Sequence, residues 1–189
     1  MRKIIGWLIS LSIIIFSCDI FKTRKPSPDG DKGEFSPPIS PGVVLTNLVK
    51  SYNFRNIEAY GECFDQENFR FYPDPEDTLG PYKEYFRDWT YRTEDSVTQS
   101  LFNSVVDTLT YPPILLQFTH LSRDSTDTTA SFYEKYELKI ELPESLYRYA
   151  RGKAKFELIK VENFWYIRTW TDFKEDTTDW GEIKVSFRR

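Results

Sequence analysis

Phe132-Tyr133-Glu134-Lys135-Tyr136-Glu137-Leu138-Lys139-Ile140-Glu141-Leu142 decides the fold class. Phe132, Tyr136, Leu138, Ile140 and Leu142 fall on one side of an extended chain, and Lys135, Glu137, Lys139 and Glu141 on the other. Strict alternation at period two is the mark of a strand with one face in a core and one in water. Pro143 closes it. Before it, Ile114, Leu116 and Phe118 alternate with Leu115, Gln117 and Thr119, and residues 124–127 read as a turn. After it, Ala150, Gly152, Ala154, Phe156 and Leu158 alternate with Arg151, Lys153, Lys155 and Glu157. Glu162-Asn163 then makes a tight connection to a strand from Phe164 to Phe173, and Trp180 to Phe187 reads as a last short strand. Successive half-polar strands joined by short turns describe an antiparallel meander.

Upstream the period changes. Ser40-Pro41 reads as an N-cap followed by proline at the first helical position, and Val44, Leu48 and Tyr52 then recur at helical spacing. Asn53 can end that helix and Asn56 can cap a second, whose apolar stripe is Ile57, Tyr60 and Phe64. Phe69 and Phe71 alternate with Arg70 and Tyr72, a short strand stopped by Pro73. Tyr82, Tyr85, Phe86 and Trp89 share one face of a further helical stretch. Thr93-Glu94-Asp95 opens another helix, with acids at the positive end of its dipole. Helices first and an antiparallel sheet after them is an α+β order.

The N-terminus carries an address. Arg2 and Lys3 precede an apolar run from Ile4 to Phe16, about 13 residues, against the about 20 that a bilayer span needs; Ser17 and Cys18 follow. This is the pattern of a secretory signal peptide over residues 1–17. Ile15-Phe16-Ser17-Cys18 resembles a bacterial lipobox, although Phe16 stands where a small or β-branched residue is usual. The resemblance implies lipidation at Cys18 and a membrane-anchored envelope lipoprotein. Residues 18–40 contain Pro26, Pro28, Pro37 and Pro38 among charged residues. They bury too little apolar area to offset their ordering entropy and read as a tether. Residues 41–189 are then the folded domain. Arg2 and Lys3 are the only charges in residues 1–17, so their removal takes the formal net charge from −4 to −6. That balance argues against nucleic acid as a partner. Lipidation of Cys18 would leave Cys63 alone of the two cysteines, in an apolar helical pattern where it reads as a buried small hydrophobe. One histidine, His120, makes a His/Cys zinc site improbable, and neither a metal nor another cofactor is expected.

The element order also resembles the NTF2-like, or SnoaL-like, fold of the cystatin-like class: N-terminal helices packed on a strongly curved antiparallel sheet that forms a cone. Leu48 to Tyr60, with its Tyr52-Asn53-Phe54-Arg55-Asn56 segment, resembles the opening helix pair. Asn68 to Tyr72 resembles the first strand, and Phe164 to Arg168 a late strand after a hairpin. The resemblance covers residues 41 to 173. It implies isomerases, dehydratases, small-molecule binders, adaptors and lipoproteins alike, and fold does not choose among them.

Glu134 is the sharpest candidate. It falls on the apolar face, where an unpaired carboxylate is costly. If that face lines a cavity, Glu134 serves as a general base or a ligand-binding acid; if not, it sits at a solvated mouth or pairs with a core arginine. Tyr136 and Gly152 join it as binding candidates, since Ala150, Gly152 and Ala154 leave room either for a ligand or for close packing. His120, in phase with Leu116 and Phe118, and Tyr52, which resembles the helix-borne tyrosine of ketosteroid isomerases, are weak catalytic candidates; Asp65 and Asp74 lie in loops. Arg168, Trp170 and Asp172 share a face opposite Trp165 and Ile167, and the latter pair is the expected core face. The sequence favours a non-catalytic module that binds a small apolar ligand or a protein. The alternatives are an isomerase or dehydratase with an acid in the cavity, and a structural protein that dimerises through its sheet.

Overall fold

The computed structural model describes residues 34–105, 112–143, 146–175 and 178–188. Cys18 and the signal segment lie outside the described residues. Among the described residues, no helix is long and apolar enough to cross a membrane.

Helix α1 (Pro41–Phe54) starts with Ser40 in extended conformation and proline in its first turn, as the sequence predicts. It stops at Arg55, whose left-handed φ of 53° turns the chain and lets its N–H reach back to the last carbonyls. Asn56 caps α2 (Ile57–Gly61) by accepting from the Ala59 N–H at 3.0 Å. Asn53, expected to end α1, lies inside it and has another task. Its Oδ1 accepts from Leu116 N at 2.7 Å, which clips α1 to the edge of the sheet.

The sheet contains β1 (Arg70–Tyr72), β2 (Ile114–Ser125), β3 (Thr129–Leu142), β4 (Leu146–Val161) and β5 (Phe164–Lys174) in the order β1-β5-β4-β3-β2. β2 to β5 form the antiparallel meander read from the alternation, and β1 adds to β5 in parallel. The sheet is open, with β1 and β2 at its edges. The α+β class, with helices packed against an antiparallel sheet, is the one expected. The inner face carries Leu116, Tyr136, Leu138, Ile140, Phe156 and Leu158 into the core beneath α1, α2 and α3 (Tyr91–Ser104). The outer face carries ion pairs beside exposed Leu115, Tyr147 and Tyr149: Glu175 bridges Lys135 at 3.0 Å and Lys153 at 2.7 Å, and Lys155 pairs with Glu157 at 2.7 Å.

Three local expectations differ from the structure. The stretch through Tyr82 and Trp89 is a single 3₁₀ turn, Lys83–Phe86; Phe86 and Trp89 are buried while Tyr82 and Tyr85 are exposed. Helix α3 starts at Tyr91, two residues earlier than expected, so Glu94 is not an exposed first-turn acid but a buried one. Trp180 to Ser186 is not a strand but helix α4, because Asp179 caps it by accepting from Glu182 N at 2.8 Å. Trp180, Ile183 and Lys184 then share the buried side.

Residues 34–40, read as part of the tether, are bound to the body. Asn47 accepts from Ser36 N and donates to Ser36 O, Lys50 donates to Glu34 O, and Trp165 N donates to Pro38 O at 2.8 Å.

Candidate functional site

Two β-bulges set the geometry of the interior. In β2 the register shifts between His120 and Ser122, leaving Leu121 unpaired; His120 lies opposite Glu134 and Arg123 opposite Phe132. An extra residue flips side-chain parity. Arg123 therefore turns to the face that holds Glu134. In β5, Ile167 pairs with Leu158 and Thr169 with Glu157, so Arg168 is the extra residue. Trp165 and Ile167 are buried before the bulge, and Trp170 and Asp172 after it. The expectation that Trp170 and Asp172 face outward with Arg168 is thus overturned. Arg168 alone points out, and donates to Asp65 Oδ2 from Nε at 3.0 Å and from Nη2 at 2.9 Å.

Glu134 is fully buried. Its Oε1 accepts from Arg123 Nε and Nη2, each at 2.8 Å, and lies 3.5 Å from His120 Nδ1. Its Oε2 has no hydrogen-bond partner among the described residues. The arginine resolves the cost of placing a carboxylate on an apolar face. His120 is half-exposed, so this group reaches solvent at one side.

Tyr52, Tyr136 and Gly152 meet elsewhere, around Trp180. The Trp180 indole N–H donates to Tyr52 Oη at 3.1 Å, and its backbone N–H donates to Tyr136 Oη at 2.8 Å. The indole packs edge-on against Trp170, with ring centroids 4.3 Å apart, and tilted against Tyr136 at 5.0 Å. Burial holds both tyrosines far above the ordinary phenol range, so neither is an anion that could act as a base. The space at Gly152 is already taken: a Cβ there would stand 2.6 Å from Tyr136 Oη and 2.4 Å from Phe173 O. Gly152 is therefore a packing glycine.

Beneath this layer lies an ion pair that the alternation did not reveal. Lys184 Nζ sits 2.9 Å from Glu94 Oε1 and 3.0 Å from Oε2, and both groups are buried. Tyr60 donates to Glu94 Oε1, and Trp89 Nε1 donates to Oε2 at 2.7 Å. The ammonium also lies 3.5 Å from the Trp170 ring centroid and 3.8 Å from that of Phe71. Burial holds the Lys184 pKa below its ordinary value, against Glu94, which pushes it up. At period 3.6 Trp180, Ile183 and Lys184 share one face, a signal that Lys184 is buried but not of its partner.

Cys63 is buried and unoxidised, with a thiol that burial pushes far up, so it is an inert core residue. Asp65 pairs with Arg168 as described, and Asp74 Oδ2 accepts from Lys174 N at 2.9 Å. Surface clefts lie apart from Glu134 and from the Trp180 layer, although one touches Arg168 and another touches Phe71 and Trp89. One, of about 310 Å³, runs along residues 124–131 and 157–159. The other, of about 450 Å³, lies between Arg70–Pro73 and the 3₁₀ turn, with Phe71, Phe86 and Trp89 among its lining residues. Neither is lined by Tyr52, His120, Glu134, Tyr136 or Gly152.

No protein-family model matches the chain, and no curated protein matches it. Solved structures do. A protein of Novosphingobium aromaticivorans DSM, described provisionally as an aromatic ring hydroxylase, is 11% identical over 76% of this chain and 92% of its own, with a TM-score of 0.58. A conserved protein of Planctomyces limnophilus DSM 3776 is 9% identical over 69% of this chain and 89% of its own, with a TM-score of 0.56. An NTF-2 like protein of unknown function from Shewanella oneidensis MR-1 is 16% identical over 68% of this chain and 92% of its own, with a TM-score of 0.44. At such identities the likeness is of fold alone: α+β, helices on an open, mainly antiparallel sheet.

Proposed function

We propose that the chain is a lipid-anchored, non-catalytic module of the bacterial envelope that works by binding a protein partner at its surface. The observation that carries this reading is Trp180. The face expected to line a ligand cavity is filled by its indole, and the hydroxyl oxygens there, of Tyr52 and Tyr136, both accept from that one residue. A site already filled and hydrogen-bonded within its own chain offers little to a small molecule. The anchor is supported by the sequence around Cys18, and a sheet dimer is disfavoured by the ion-paired outer face.

Two measurements test the proposal. Intact mass of the full chain from membranes is expected to show acylation, and Cys18→Ala should move the protein to the soluble fraction. Native mass spectrometry is expected to find no retained small molecule; a stoichiometric apolar ligand would overturn the surface-binding reading.

One observation favours an enzyme as the second reading: Glu134 Oε2 is buried without a partner, beside a half-exposed histidine. Glu134→Gln and His120→Ala separate the two. Catalysis there predicts that a turnover seen with the parent chain is abolished by both substitutions. The non-catalytic reading predicts no turnover of enone or hydroxy-acid test substrates by any of the three chains.

A further inference from the structure

The first turn of α4 is surrounded by more carboxyls than cations. Asp179 and Asp77 are both buried, and each leaves its Oδ2 without a hydrogen-bond partner among the described residues. The two carboxyls are near enough for each to shift the other's titration. They converge on Gly181, where a Cβ would stand 3.1 Å from Asp77 Oδ2 and 3.4 Å from Asp179 Oδ1. A third buried carboxyl, Asp172 of β5, accepts from Gly181 N at 2.8 Å.

The surrounding charges do not balance these acids. From β5, Lys174 Nζ lies 3.8 Å from Asp77 Oδ1, but it is closer to Glu182 of α4, at 2.6 Å. Asp74, from the loop after β1, takes the Lys174 backbone N–H. Lys184, from the far side of α4, is engaged by Glu94. Tyr136 of β3 is neutral and faces Asp172. Two buried carboxyls this near, with the nearest cation shared, cannot both ionise at low cost. One proton between them supplies the missing hydrogen bond.

We propose that α4 is a proton-latched plug: a proton shared by Asp77 and Asp179 holds its first turn against the body, and loss of that proton loosens the helix and uncovers the interior that Trp180 closes. The energetic direction agrees. Burial and then Asp179 push Asp77 up to about 7, burial pushes Asp179 up, and burial and then Asp179 push Asp172 up to about 7. The folded state therefore prefers these groups protonated. The latch is complete below the ordinary carboxylate range and is lost as the pH rises through about 7.

Hydrogen exchange of the full chain tests this. Protection of residues 179–188, relative to α1 and corrected for intrinsic rates, is expected to fall between pH 6 and pH 8.5, by up to about tenfold per pH unit. Asp77→Asn, a neutral donor to Asp179, should keep α4 protected at both values. If Asp77→Asn does not fold, Asp179→Asn keeps the cap acceptor and carries the same expectation. The latch is overturned if protection of α4 in the parent chain does not change with pH, or if the change survives in the asparagine variant that folds. The inference rests on Trp180 filling the interior. A retained ligand would remove that premise, whereas pH-independent protection in a ligand-free chain overturns the latch alone.

Discussion

Lys184 and Glu94 make the interior depend on two charges. A buried ion pair adds little net stability, yet removing one partner leaves an uncompensated charge. Lys184→Met is expected to cost about 3–5 kcal/mol in urea unfolding. Adding Glu94→Gln should return part of that loss, because it removes the uncompensated charge while its amide oxygen accepts from Trp89 and its amide N–H donates to Tyr60. Gly152→Ala tests packing at the neighbouring layer. The new methyl would meet Phe173 O and Tyr136 Oη well inside contact distance, and overpacking of this kind costs about 1–3 kcal/mol. Asp172 adds to the pH dependence that Asp77 and Asp179 give to α4. Its folded pKa is raised to about 7, first by burial, so the stability it contributes is present at low pH and is lost as the pH rises through about 7. Melting temperatures should fall from pH 5 to pH 8, and Asp172→Asn should shrink that fall.

At the scale of the element, β5 shows what was legible and what was not. Its strand character was plain in Phe164 to Phe173, but its sequence holds two apolar phases, Trp165 with Ile167 and Trp170 further on. A regular strand can bury only one of these phases. The phase change was itself the signal of the extra residue, Arg168. Leu121 did the same in β2 and so hid the pairing of Arg123 with Glu134. Turn and cap chemistry was more readable, because Pro41 and Asn56 act within a few residues of themselves, although Ser40 holds the N-cap position without a side-chain capping bond. Glu94 and Lys184 were unreadable as a pair, because their partnership spans 90 residues and two helices. The bulge makes a sharp prediction. Arg168→Ala removes an exposed ion pair and should cost under about 1 kcal/mol. Deletion of Arg168 should abolish folding, measured by loss of a cooperative melt, because it turns Trp170 and Asp172 to water or Trp165 and Ile167 in their place.

At the scale of the molecule, an open sheet has one inner face to cover, and α4 completes the cover late in the chain. The outer face is left to ion pairs among Lys135, Lys153, Glu175, Lys155 and Glu157. A stable dimer through it would bury about 1,200–2,000 Å² of that charged surface. Light scattering on the Cys18→Ala chain is therefore expected to give a monomer.

The strap of residues 34–40 gives the molecule a mechanical character. Tension applied to the chain ahead of Glu34 would meet the contacts at Lys50, Asn47 and Trp165 one after another. Each is one or two hydrogen bonds, against a full ladder in the sheet, so the strap would yield before the core and act as a mechanical buffer.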